Sequence, residues 1–180
     1  MGFSLTYTLE RAGWGTVRIS DGSSSVHATV SYLHDSLREL AEAANGLQRG
    51  ADRGRIVFMD EPGEVQLVFH RTDDALSYEV RSFADYNSWG MGPSESFDVD
   101  LSGTTTVRSF VAEVCGQMED LLQKYGQDGY RKRWIEHEFP MDLLLQLRAG
   151  SKTEQATAPS VGPAASSASS AAGKAPPTVS

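Results

Sequence analysis

This chain has one cysteine, fewer basic than acidic residues and no long apolar run, and each shortage closes off a class of structure or function. A single Cys115 allows neither an intramolecular disulfide nor a cysteine-based metal cluster. With Val111, Val114 and Met118 around it, it reads as a small buried hydrophobe on the apolar side of a helix, not as a catalytic thiolate. No apolar stretch approaches the roughly 20 residues needed to span a bilayer. The 16 Lys+Arg are outnumbered by 24 Asp+Glu, giving a net charge of −8. Setting aside Lys152, Lys174 and Glu154 leaves 14 against 23 before Ser151, a net −9. So acidic a domain repels phosphate backbones, which argues against direct nucleic-acid binding, and it attracts basic partners. The start Met1-Gly2-Phe3-Ser4 lacks the basic and apolar regions of a signal peptide, so a soluble cytoplasmic protein is expected. Met1-Gly2 with Thr6 has the outline of a myristoylation pattern, but regular alternation from Phe3 to Leu9 makes a strand the better account.

The motifs of familiar catalysis are missing too. There is no Gly-x-Ser-x-Gly elbow, phosphate loop or dinucleotide fingerprint, and Gly90-Met91-Gly92 lacks the rest of any such pattern. No serine stands beside a base in sequence. His27 and His34 straddle a strand-to-helix change, and His70 stands alone. His137, between Glu136 and Glu138, is placed as a pH-sensitive group or a lone ligand, but no second ligand follows at helical zinc spacing. No cofactor and no metal site are expected. The one exception is Asp98 and Asp100, which on a regular strand would project from one face about 7 Å apart and so offer two oxygens to Mg²⁺. A solvated strand face or a charged edge that blocks aggregation is the better reading, because no nearby Lys, His or Gly-rich phosphate loop supports a metal.

What the chain does have is clear periodicity. Phe3, Leu5, Tyr7 and Leu9 alternate with polar residues, and Val17 with Ile19 mark a second strand. Asp21-Gly22 signals a hairpin turn, after which Val26, Ala28, Val30 and Tyr32 form a third strand. The period then lengthens to about 3.6, with Leu33, Leu37, Leu40, Ala41, Ala44 and Leu47 on one helical face. Arg55–Met59, Val65–His70, Leu76–Val80 and Phe97–Leu101 predict further strands. Val107, Phe110, Val111, Val114, Met118, Leu121, Leu122 and Tyr125 predict the strongest helix, capped by a threonine among Thr104–Thr106 and stopped by Gly126. A short helical piece around Tyr130–Ile135 follows. In it the basic run Arg131-Lys132-Arg133 faces solvent, within reach of Glu136, and the flanking aromatics point inward. A last helix follows Pro140, with Leu143, Leu144 and Leu147. One-sided strands and helices together specify an α+β domain over 1–150: a two-layer fold with a mostly antiparallel sheet of about six or seven strands and helices packed on one face. The opposite sheet face, with Thr6, Thr8, Arg18, His27, Gln66, Glu79 and Arg81, reads as wet. Beyond Gly150 the composition falls to Ala, Ser, Pro, Gly and Thr, so 151–180 is expected to be a disordered tail.

Two segments stand out as contact candidates. Glu61-Pro62-Gly63-Glu64 predicts a type II turn, with Pro62 second and Gly63 third at positive φ. It would crowd Asp60, Glu61 and Glu64 at one hairpin tip. Ala84–Ser96 is long for an internal connection and carries Tyr86, Trp89 and Met91, side chains of the kind that dominate binding hot spots. Asp60, Glu61, Glu64, Asp85, Tyr86 and Trp89 are therefore the predicted partner-binding residues, with a basic protein as the partner.

The run Lys124-Tyr125-Gly126, Gly129-Tyr130, Trp134, Phe139-Pro140 and Leu144, together with Asp60-Glu61-Pro62-Gly63, resembles a family of uncharacterised small bacterial proteins associated with the immunity proteins of polymorphic or contact-dependent toxin systems. The resemblance covers residues 3–148 and implies no active-site residues. It implies a non-enzymatic domain that neutralises a cognate toxin, such as a basic nuclease. Two other expectations remain beside it: a metal-dependent hydrolase using Asp98 and Asp100, and a regulatory or structural subunit tethered through the tail.

Overall fold

The computed structural model describes residues 2–93, 96–135 and 137–157. It is an α+β fold of seven strands and three helices, with the strands in two antiparallel sheets. The first sheet is β1 (Ser4–Leu9), β2 (Trp14–Ser20) and β3 (Ser25–Ser31), in that order. After α1 (Ser36–Gln48), the second sheet is β4 (Arg53–Asp60), β5 (Gly63–Thr72), β6 (Ala75–Phe83) and β7 (Asp98–Thr106), again in chain order. The last helices are α2 (Val107–Trp134) and α3 (Met141–Thr157). One apolar cluster joins both sheets to all three helices: Leu5, Tyr7, Val17, Ile19, Val30, Ile56, Phe58, Leu67, Phe69 and Val80 meet Leu37, Leu40, Phe110, Val114, Trp134 and Leu144.

The helices begin and bend where local chemistry dictates. Asp35 accepts the Arg38 N–H at 3.3 Å and caps α1. That cap puts Leu33 ahead of the helix, so Leu33 is exposed at 42%, contrary to its expected place on the buried stripe, while Leu37, Leu40, Ala41, Ala44 and Leu47 are fully buried. Thr106 caps α2 by accepting the Ser109 N–H at 3.1 Å. Gly126, at φ 64° and ψ 176°, kinks α2 into the two helical pieces expected on either side of it. In the second piece Tyr130 and Trp134 are fully buried, and Arg131 and Lys132 face solvent. Leu143, Leu144 and Leu147 of α3 are buried as expected. That helix continues past Gly150 to Thr157; the rest of the expected tail, and Glu136, lie outside the described residues. Cys115 packs against the core as expected but is only half-buried, with its thiol 3.8 Å from Glu119. Burial, and then the Glu119 carboxylate, push its thiol pKa up, with Arg148 opposing. Both effects favour the neutral thiol over the nucleophilic thiolate.

His137 is tied into the fold. Its Nε2 donates to the Tyr32 carbonyl at 2.7 Å, and its Nδ1 lies 3.6 Å from Asp35. The approach to α3 is thus fastened to the β3–α1 connection.

The Pro-Gly hairpin differs from its predicted geometry. Asp60 pairs with Gly63, so Glu61 and Pro62 are the two loop residues, and the bond between them is cis. Pro62 is therefore the third turn residue, as in a type VI turn, not the second. Gly63 does not take a positive φ; it is needed because a Cβ there would run into the Phe83 carbonyl.

Candidate protein-contact surface

In an antiparallel ladder, paired residues point to the same face. Ile56, Phe58, Val65, Leu67, Phe69, Tyr78 and Val80 line the face of the second sheet that enters the main core. The pairs Val57↔Gln66, Met59↔Glu64, Gln66↔Arg81 and Glu64↔Phe83 build the opposite face. That face is not wet at the hairpin end. Val57 (1%), Met59 (0%), Glu64 (1%) and Gln66 (4%) are all buried. The first sheet's outer residues Thr6, Thr8, Arg18 and His27 are exposed, as expected.

At Glu64 the cover comes from the connection after β6. Phe83 ends β6, and a single turn of 3-10 helix, Asn87–Trp89, follows. The N–H of Ser88 donates to both carboxylate oxygens of Glu64, at 3.0 and 3.1 Å, and the Ser88 hydroxyl donates to the same group at 2.5 Å. The Gln66 amide, two residues along β5, adds another donor to Glu64. A buried carboxylate normally needs a cation or several donors; here donors alone supply what it needs. Glu64 is therefore not an acidic contact residue, as its place at the hairpin tip had suggested. It is the peg that holds the loop.

The other predicted contact residues separate by depth. Asp60 is half-buried; burial raises its pKa, partly offset by a hydrogen bond from Thr29. Glu61 and Asp85 are exposed. Tyr86 is half-buried, with its ring 5.1 Å from that of Trp89, and partial burial together with the Glu61 carboxylate raises its phenol pKa. The hairpin tip and the aromatic loop, more than twenty positions apart in sequence, thus form one surface. Trp89 is 52% exposed on it and Met91 62%. Among the described residues, Glu61 and Asp85 form no ion pair.

Beside the loop, the Arg81 guanidinium stacks 4.5 Å above the Phe97 ring while bonding Glu79, and Phe97 lies 5.5 Å from Phe83. A cleft of about 340 Å³ opens here, lined by Ser82, Ala84, Ser96, Phe97 and Asp98. Asp98 and Asp100 do not share a regular strand face. Val80 pairs with Leu101 and Arg81 with Val99, so the ladder slips and Asp100 has no partner opposite. A bulge of this kind breaks the alternation that the two-carboxylate reading required. Among the described residues, no three His, Cys, Asp or Glu side chains come together in a way that suits a metal.

Ser88, Gln66 and the Arg81–Phe97 stack went unrecognised in the sequence. One signal for them was present: Ile56-Val57-Phe58-Met59 is apolar in both phases, the mark of a strand buried on both faces. Glu64, opposite Met59, had to lie on the second covered face. No helix is long and apolar enough to cross a membrane among the described residues. Comparison with family models, curated proteins and solved structures finds no match.

Proposed function

We propose that this is a non-enzymatic protein-binding domain, and more narrowly an immunity protein that neutralises a basic toxin. One observation carries the reading: Trp89 and Met91 stand more than half exposed on a loop whose backbone is fixed from beneath by Glu64. Large apolar side chains on a pre-ordered loop bind at little entropic cost, which is the usual make-up of an interface hot spot. Glu61 and Asp85 around them, and the net charge of −8, would speed encounter with a basic partner.

The test is co-expression with the product of the adjacent gene in the native host. The full chain should rescue growth and co-purify with that product in a stoichiometric complex. Trp89→Ser should weaken the complex by about 2 kcal/mol or more while leaving the melting temperature unchanged. A non-toxic neighbour, or full affinity in Trp89→Ser, would remove the reading.

A further inference from the structure

The strand edges of this fold are treated unequally. On the outer edge of β1, α2 supplies partners: Leu5 N–H donates to Glu113 at 3.3 Å, Tyr7 N–H donates to Gln117 at 3.0 Å, and the Leu9 carbonyl accepts from the Tyr125 hydroxyl at 3.2 Å. On β4, the Val57 N–H donates to Glu39 of α1 at 2.6 Å. Among the described residues, the outer edge of β7 has no such hydrogen-bonded cover, although β3 approaches β7. Among the described residues, no side chain and no other strand bonds the main-chain groups of 98–105 on the side away from β6. Asp98, Val99, Asp100 and Ser102 are exposed, Val99 at 50%. Unpaired N–H and C=O groups in a row are a template for another strand.

We infer that β7 is a docking edge for an extended, basic segment of the partner protein, which adds to the second sheet as a fifth strand beside β7. Charge selects this occupant. Asp98 and Asp100 form no ion pair among the described residues, so lysine or arginine side chains on the incoming strand meet unopposed carboxylates. A neutral or acidic strand would gain the same main-chain bonds without that attraction. The cleft lined by Ser82, Ala84, Ser96, Phe97 and Asp98 opens where β6 ends and β7 starts, next to the Trp89 loop. Main-chain pairing at an exposed sheet edge is the source of affinity in strand addition. The inference rests on the protein-binding reading and specifies the shape of what is bound.

A short synthetic peptide alternating lysine and valine is the probe, with amide exchange of the full-length protein as the readout. The peptide should slow exchange at alternate residues of 98–105 by about tenfold or more. A version N-methylated along one edge should lose at least about tenfold in affinity, and a glutamate–valine peptide should not bind. Asp98→Asn with Asp100→Asn should weaken the lysine–valine peptide and flatten its salt dependence. Three results would overturn the inference: unchanged β7 exchange with the peptide in excess, equal binding of the peptide N-methylated along either edge, or β7 protection that grows with protein concentration alone, which would make a second copy of this chain the occupant. None of these touches the Trp89→Ser comparison, so strand addition can fail while the protein-binding reading stands.

Discussion

Glu64 and Ser88, twenty-four positions apart, are joined by three hydrogen bonds: the Ser88 N–H reaches both carboxylate oxygens and its hydroxyl reaches one. This junction fastens the loop of Tyr86, Trp89 and Met91 to the second sheet. Glu64→Leu should leave the Ser88 N–H without its acceptor under a covered face and lower stability by about 1–3 kcal/mol. Amide exchange should speed up more across 86–91 than in α2, whose core amides follow global stability. If 86–91 stays protected, Glu64 is not the anchor.

Gly126 sits at φ 64° and ψ 176°, a backbone region essentially reserved for glycine. Gly126→Ala should therefore destabilise the fold by about 1–3 kcal/mol, even though no atom beyond its chain neighbours and its own helix backbone lies within 4 Å of where its Cβ would go. Chemical denaturation measures this directly. A neutral substitution would mean the kink is not a feature of the folded protein in solution.

Burial raises the Asp60 pKa above that of the unfolded chain, so the folded state holds this proton more tightly. The resulting stabilisation is full below the ordinary aspartate value of about 3.9 and is lost as pH rises through the raised value. Asp60→Asn removes that loss while keeping an oxygen acceptor for Thr29. Its stability relative to the parent should therefore improve between about pH 3 and pH 7. Melting curves across that range test the sign, and a constant offset would contradict it.

Glu39 accepts from the Val57 N–H at 2.6 Å and pairs with His34 at 2.8 Å. Glu39→Ala leaves an edge N–H of β4 unpaired beside the core and should cost about 1–3 kcal/mol. Val57 itself should exchange faster than its neighbours in a site-resolved measurement. An unchanged Val57 rate would show that something other than Glu39 protects that edge.

Much of the fold was legible because its signals are local. The alternation of Leu5, Tyr7 and Leu9, the change of period at Leu37, the Thr106 cap and the stop at Gly126 all lie within a few residues of the structure they specify. Leu33 was misplaced because its spacing suits the helical stripe, while the Asp35 cap starts the helix after it. The hairpin between β4 and β5 was also legible, but its turn type was not. Both turn geometries accept Pro-Gly, and the Phe83 carbonyl against Gly63 comes from a different strand.

Residue chemistry alone placed an acidic tip and an aromatic loop in this chain and marked both as contact surface. Tertiary structure decided that they are one surface, and that their carboxylates have different roles. Glu61 and Asp85 stay in water, while Glu64 is buried. A carboxylate's burial depends on the donors that reach it, and the donor that matters here arrives from a segment more than twenty residues away. The open edge of β7 was likewise settled only in three dimensions. Whether a strand's outward N–H and C=O groups are bonded depends on which helix or strand packs beside them, and among the described residues α1 and α2 bond β4 and β1 but not β7.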